Sequence, residues 1–196
     1  MAGGAGVPKN RENFKLSIND AIMASQRAYK VVLCGDGGVG KTSIANRFIG
    51  SAFNPVQRLT VGVAHYTREL LFDDGPVRIV IWDLGGEERF RFLAPVFLRG
   101  ARGAVFVFDV TREETFEHLE EWLEITVSTI GDVPRILVGN KVDLEDMRVI
   151  PRSFAEQYAR SKGYIGYYEV SAKDGFNIEV PFIHLLKAVL RCERGG

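Results

Sequence analysis

The stretch GDGGVGKT, Gly35 to Thr42, limits what this chain can fold into more than any other, because its flanks decide what it means. It lies between YKVVLCG, an apolar run that reads as a buried strand, and KTSIANRFIG, which reads as a helix. In that setting it fits G-x-x-x-x-G-K-[ST], a loop whose glycines let successive backbone N–H groups turn inward around phosphate oxygens. Side chains at Gly37 and Gly38 would obstruct that approach. The start of the following helix adds positive dipole. Lys41 is long enough to reach β- and γ-phosphates, and the Thr42 hydroxyl can bind Mg²⁺. Gly35, Asp36, Gly37, Gly38, Val39, Gly40, Lys41, Thr42 and Ser43 are therefore candidate residues for binding a nucleoside phosphate.

Strands and helices alternate from Tyr29 onward. VAHYTRELLF and VRIVIWD flank DDGP, which reads as a hairpin turn. GAVFVFDV and RILVGN read as strands, and YIGYYEVSA as a third. EETFEHLEEWLEITVSTI reads as one long amphipathic helix, with Phe116, Leu119, Trp122, Leu123 and Ile125 or Thr126 near one face. RSFAEQYARSKG and NIEVPFIHLLKAVLRC are further helices. This order predicts an α/β domain whose sheet is mostly parallel with one antiparallel edge. Ligands then bind at the C-terminal ends of the strands.

Two segments at strand ends address the base. NKVD, Asn140 to Asp143, follows the apolar run RILVG. A carboxylate can accept from both the N1–H and the 2-amino group of guanine, which adenine does not offer, and Asp143 is the candidate for that role. Asn140 and the stem of Lys141 would brace the loop and cover the ring. Ser171, Ala172 and Lys173 end the next strand, where a backbone N–H can meet the guanine O6.

With these segments in place, the chain resembles a Ras-superfamily small GTPase. GDGGVGKT, Thr60, DLGGE, NKVD and SAK stand in that family's order and near its spacing, over residues 29 to about 192. Within the superfamily it is most similar to the Rab branch. TVGVAHY is similar to the Rab stretch T-I-G-V-x-F, and WDLGGEERFRFLAPVFLRGARGAVFVFDVT follows the Rab pattern almost position by position. The resemblance implies a P-loop NTPase G domain of α/β class over 29–192, with a six-stranded, mostly parallel sheet and helices on both faces. It leaves residues 1–28 as an extension and 193–196 as a short tail. It implies GTP/GDP and Mg²⁺ as ligands, with hydrolysis of GTP.

The resemblance also carries roles onto matching positions. Phe53 matches the aromatic residue that packs on guanine. Thr60 matches the switch threonine whose hydroxyl reaches Mg²⁺ and whose N–H meets the γ-phosphate. Asp83 matches the acid that holds a Mg²⁺-bound water, in keeping with the oxygen ligands this ion takes. Gly86 matches the glycine whose N–H contacts the γ-phosphate. Lys41, Thr60, Gly86 and the residue after it, Glu87, form the expected catalytic set, and Thr42, Thr60 and Asp83 the expected metal set. Loss of the γ-phosphate would release both switch segments. Effectors, an exchange factor and an activating protein are expected to engage residues 53–66 and 83–99.

The departures from the pattern are informative. Ras and Rab proteins mostly read D-T-A-G-Q-E where this chain reads DLGGEE, so that Glu87 replaces the glutamine, and Gly85–Gly86 resembles the Arf branch. Glutamine can donate to the transition state and accept from the attacking water, whereas an ionised glutamate only accepts, beside a highly charged phosphoryl group. Slower hydrolysis is expected, with a poor response to an activator that needs the glutamine. A scaffold that binds GTP with little turnover is the alternative reading, and an ATP-dependent phosphotransferase is disfavoured by NKVD. The three aromatic positions that Rab partners read map to His65, Trp82 and Phe97. His65 there reads as an exposed strand residue.

Composition excludes other classes. Twenty-five basic and twenty-five acidic residues cancel, so no nucleic-acid partner is expected. Cys34 and Cys192 make no disulfide framework, which fits a reducing cytoplasm. His118 and His184 have no partners at zinc-ligand spacing. No apolar run approaches the roughly 20 residues that span a bilayer. Ala2 breaks the N-myristoylation pattern, and Cys192 stands fifth from the end where a prenylation box needs the fourth, so no lipid anchor is expected. SINDAIMASQRA has the capping pattern Ser17–x–x–Asp20 and the apolar spacing of a short helix, with peripheral membrane contact as one reading of it. Glu113, Glu114, Glu117, Glu120, Glu121 and Glu124 read as a solvated helix face. A monomer is expected.

Overall fold

The computed structural model describes residues 27–54 and 59–194. The short helix expected over SINDAIMASQRA lies outside them.

Strand β1 (Ala28–Cys34) is buried on both sides, as a central strand of a parallel sheet must be. Its alternating side chains feed two separate cores: Val31 and Leu33 join one, Val32 and Cys34 the other. The remaining strands are β2 (Val63–Phe72), β3 (Gly75–Leu84), β4 (Gly103–Asp109), β5 (Arg135–Asn140) and β6 (Tyr167–Val170). They form one six-stranded sheet in the order β2-β3-β1-β4-β5-β6. Edge strand β2 is antiparallel to β3, and all other pairings are parallel. Helices cover both faces, as expected. On one side lie α1 (Lys41–Phe48) and α6 (Glu179–Arg194), where Phe48 stacks on Phe182 with centroids 4.2 Å apart. On the other lie α2 (Ala94–Leu98), α3 (Glu113–Glu117), α4 (Leu119–Ile130) and α5 (Arg152–Ser161).

Three local expectations change. The hairpin turn is tighter than DDGP: β2 and β3 pair up to Phe72 and Gly75, leaving Asp73 and Asp74 as its two turn residues. Gly75 closes it at φ +106°, a left-handed value that favours glycine. YIGYYEVSA forms only the short β6, because Tyr164 is still bonded to the helix end at Ala159, while Ser171 turns to bridge Phe176. The long helix over 113–130 is two helices, α3 and α4, separated at His118 (φ −69°, ψ −7°). The i→i−4 bonds to Glu114 and from Trp122 survive on either side, so the axis continues through His118.

Trp122 is fully buried, and so are Leu119 and Thr126, while Ile125 is only half-buried. All six glutamates of the acidic face are exposed, yet Glu114, Glu120 and Glu121 carry ion pairs to Arg112, Lys162 and Arg91. Cys34 and Cys192 are both free, and burial pushes the Cys34 thiol up to about 12. Among the described residues no helix is long and apolar enough to cross a membrane, and no cluster of His, Cys, Asp or Glu could hold a metal on its own.

Candidate functional site

The C-terminal ends of β1, β3, β5 and β6 deliver four loops to one edge of the sheet, and a cavity of about 320 Å³ opens between them. Its walls contain Gly37, Gly38, Gly40, Lys41, Thr42 and Ser43 from the loop after β1, Phe53 and Thr60, Gly86 and Glu87 after β3, Asn140, Lys141 and Asp143 after β5, and Ala172 and Lys173 after β6. Five expected residues do not line it. Gly35, Val39, Asp36, Asp83 and Ser171 lie behind the wall, all buried.

Backbone close approach explains the glycines. At Gly35 (φ +136°) a Cβ would sit 2.1 Å from the Val107 carbonyl oxygen. At Gly40 (φ +98°) it would sit 2.2 Å from Asn140 Nδ2. The loop is thus packed directly onto β4 on one side and onto the Asn140 amide on the other. Asn140 ties three loops together: its Nδ2 donates to Val39 O (2.8 Å), and its Oδ1 accepts from the Ala172 N–H (3.1 Å). Asp143 accepts from the Ser171 hydroxyl (2.8 Å) and has Lys173 Nζ at 3.5 Å, so its carboxylate is held facing the cavity. Lys141, in the left-handed region at φ +70°, anchors its ammonium on the buried Asp109 (2.5 Å), which lays its stem along the cavity edge.

At the other end of the cavity Lys41 is buried and folds back on its own loop, donating to Gly35 O (2.6 Å) and Asp36 O (2.8 Å). Burial pulls its pKa down to about 8, with Asp83 acting the other way. Gly86 presses against it, since a Cβ there would lie 2.4 Å from Lys41 Nζ. Thr42 Oγ1 donates to Asp83 Oδ2 (2.5 Å) and meets Thr60 Oγ1 at 2.8 Å. Burial raises the Asp83 pKa, against the pull of Lys41 and the two hydroxyls. The second oxygen, Asp83 Oδ1, is buried with no hydrogen-bond partner among the described residues. A carboxylate oxygen left so, beside two hydroxyls, suits a small divalent cation with oxygen ligands, so the residues fit Mg²⁺.

Sequence reasoning missed two groups here. Leu59, Leu84 and Leu144 complete the apolar wall. Each adjoins a motif residue, and that adjacency is the only signal they offered. The second group surrounds Asp36, whose side chain points away from the cavity into α4. Asp36 Oδ1 accepts from Arg91 Nη2 (2.9 Å) and from the Trp122 indole N–H (3.0 Å), and Oδ2 meets His118 Nδ1 at 2.5 Å. Arg91 belongs to the 3₁₀ segment Glu88–Leu93, and it also pairs with Glu121. A buried ion pair therefore joins the loop after β1 to the segment after Gly86. No sequence pattern announces it, because positions 36, 91 and 118–122 are remote and each is unremarkable alone.

His65 is exposed and packs edge-on against Trp82, its register partner, with centroids 4.2 Å apart. Lys30 Nζ lies 3.4 Å from the centre of the same indole. Phe97 is half-buried against the core and borders a shallow groove with Gly62, Gly85 and Leu93. His184 meets the Tyr168 hydroxyl at 2.6 Å.

The Ras family model matches residues 30–191. The chain is 38% identical over 171 residues to Ras-related protein Rab-7a of Dictyostelium discoideum, covering 85% of this chain and 84% of that protein. It is 38% identical over 180 residues to Ras-related protein Rab7 of Cenchrus ciliaris, covering 87% of each. To Ras-related protein Rab11D of Nicotiana tabacum it is 37% identical over 171 residues, covering 87% of this chain and 77% of the other.

Proposed function

The chain belongs to the Ras family and is a small GTPase of the Rab branch, and from that premise we propose that it is a switch that binds GDP or GTP with Mg²⁺ and hydrolyses GTP. The observation that carries this reading is the buried Asp83 Oδ1, without a partner among the described residues, beside Thr42 and Thr60 at the Lys41 end of a cavity whose far end holds Asp143. Thr42 and Thr60 would hold the ion, with Asp83 orienting a water on it. When bound, Mg²⁺ neutralises charge on the β- and γ-phosphate oxygens. The N–H groups of Gly37 to Thr42, together with Lys41, bind the phosphates and stabilise charge as it shifts toward the leaving group. Asp143 selects guanine through its N1–H and 2-amino group, Phe53 and the Lys141 stem cover the ring, and Asn140 with Ser171, Ala172 and Lys173 hold the base end in shape.

The test is chemical. Nucleotide released by denaturing the purified protein should be GDP or GTP, and excess ATP should not displace labelled GDP. Recovery of adenine nucleotide, or displacement by ATP, overturns the reading.

Glu87 supports a second, narrower reading, a scaffold that holds GTP with little useful hydrolysis. Its Cγ lies 3.8 Å from where a Gly37 Cβ would be, so an acceptor-only group stands beside the phosphate loop. Donors aimed at transition-state charge are worth about 10²–10³ in rate. Since the carboxylate keeps the acceptor half of the glutamine's function, Glu87→Gln is expected to raise single-turnover hydrolysis about tenfold. An unchanged rate removes Glu87 from the account of hydrolysis.

Residues 53–66 and 83–99 are the surfaces proposed for effectors, an exchange factor and an activator, in trafficking-type or other regulatory signalling. A cytoplasmic monomer, peripheral at membranes through a partner or the N-terminal segment, completes the proposal.

A further inference from the structure

We propose that Arg112 is a catalytic arginine carried by the chain itself, supplying from the start of α3 the positive charge and N–H donors that Glu87 lacks. The proposal rests on the hydrolytic reading above.

Arg112 follows β4 and precedes α3, in a turn pinned from both sides. Asp109 Oδ1 accepts from the Thr111 N–H (3.0 Å) and hydroxyl (2.7 Å), the Arg112 N–H donates to Asp109 O (3.0 Å), and the Thr115 hydroxyl donates to Arg112 O (2.8 Å). The backbone is therefore held while the side chain leans across the phosphate loop. Its Nη1 donates to Gly37 O at 3.3 Å, and a Cβ on Gly38 would come within 3.4 Å of the same atom. A side chain on Gly38 would crowd the guanidinium there. Nε is paired with Glu114 (2.8 Å), and among the described residues Nη2 has no protein partner. The Arg112 and Glu114 side chains are 37% and 53% exposed, so this ion pair is weak and does not hold the guanidinium away from a stronger anion.

Glu87 approaches the same Gly37 from the direction its Cβ would take. An acceptor-only group thus borders Gly37 on its Cβ side, and a donor-only group borders its carbonyl. Between them they offer what a single glutamine amide offers alone, and the guanidinium offsets the repulsion between Glu87 and the phosphoryl oxygens. In the reaction the water oxygen bonds to the γ-phosphorus as the bond from that phosphorus to the bridging oxygen breaks, and the electron pair leaves with GDP. The water's proton passes to a γ-phosphate oxygen, while Glu87 accepts a hydrogen bond that orients the water. Arg112, by rotation of its side chain over Gly37, donates to the oxygens on which charge grows. An arginine supplied in cis or in trans has this role in other GTPases.

The experiment compares wild type, Arg112→Ala and Arg112→Lys in single-turnover GTP hydrolysis and in capture of GDP–aluminium fluoride, which mimics the transferring phosphoryl group and needs no turnover. Affinity for GDP is measured alongside and is expected to stay within about threefold, since the side chain's bond to the phosphate loop is a single long one to a carbonyl. Arg112→Ala is expected to slow hydrolysis roughly 10²-fold and abolish capture without any added activator. Arg112→Lys should recover part of both, because it keeps the charge and loses the planar fork. Unchanged rate and capture in Arg112→Ala would overturn the proposal, leaving the arginine as a brace on Gly37 O. Wild-type protein that binds GTP but releases no phosphate overturns the hydrolytic reading instead.

Discussion

Asn140→Ala is expected to speed GDP release by about 10²- to 10³-fold and to destabilise the fold by about 2–4 kcal/mol. The side chain is 2% exposed and bonds Val39 and Ala172. Removing it leaves the Val39 carbonyl and the Ala172 N–H without their partner, two buried backbone groups at about 1–3 kcal/mol each. Both belong to loops that line the cavity's walls, so the loss of stability and the loss of affinity share one cause. Gly40 leaves no room for a bulkier replacement to restore the link, since any Cβ there already collides with the amide. The checks are a thermal melt and release of a fluorescent GDP analogue chased with unlabelled GDP. A variant that melts lower but releases GDP at the wild-type rate would separate the two effects and refute the strut.

Asp36→Ala is the second large effect, at about 3–4 kcal/mol, or roughly 10 °C in melting temperature. The carboxylate receives Arg91, Trp122 and His118, and both Asp36 and Arg91 are 7% exposed. Truncation strands a buried indole N–H and leaves Arg91 with Glu121 alone, on an exposed helix face. Breaking one side of a buried pair costs more than replacing both sides by apolar groups of similar size. Asp36→Leu combined with Arg91→Met should therefore recover most of the loss. Hydrogen exchange should also quicken in Glu88–Leu93, because Arg91 is that segment's buried tie to the phosphate loop. Melting within about 2 °C of wild type, with exchange unchanged, would show that the pair contributes nothing net.

The features legible in the sequence are those whose chemistry is written into consecutive residues. GDGGVGKT can be read because glycines, a lysine and a threonine at that spacing make one loop, and the flanking strand and helix are equally local. NKVD and SAK can be read because each ends an apolar run. The antiparallel edge could be expected because a short turn between two apolar runs admits no crossover. What could not be read depends on pairs of remote residues. The break at His118 is invisible in an unbroken amphipathic pattern, and so is its contact with a carboxylate 82 positions away. The exposed glutamates look alike in sequence, and only packing distinguishes Glu121, which meets Arg91, from Glu124. Arg112 reads as a helix-flanking arginine until Gly37 and Gly38 are brought beneath it.

The amino-acid sequence by itself carried the α/β class, the glycine-rich loop after β1, the NKVD segment after β5 and the Glu87 exchange, because backbone geometry and hydrogen-bonding chemistry act over a few adjacent residues. The tertiary structure alone decided that Asp36 faces α4 instead of the cavity, that Asp83 keeps an oxygen without a partner among the described residues beside Thr42 and Thr60, and that Arg112 donates to the Gly37 carbonyl. Those are contacts between distant positions, set by how the sheet and helices pack, and burial gives each its energetic weight by removing the water that would otherwise satisfy it.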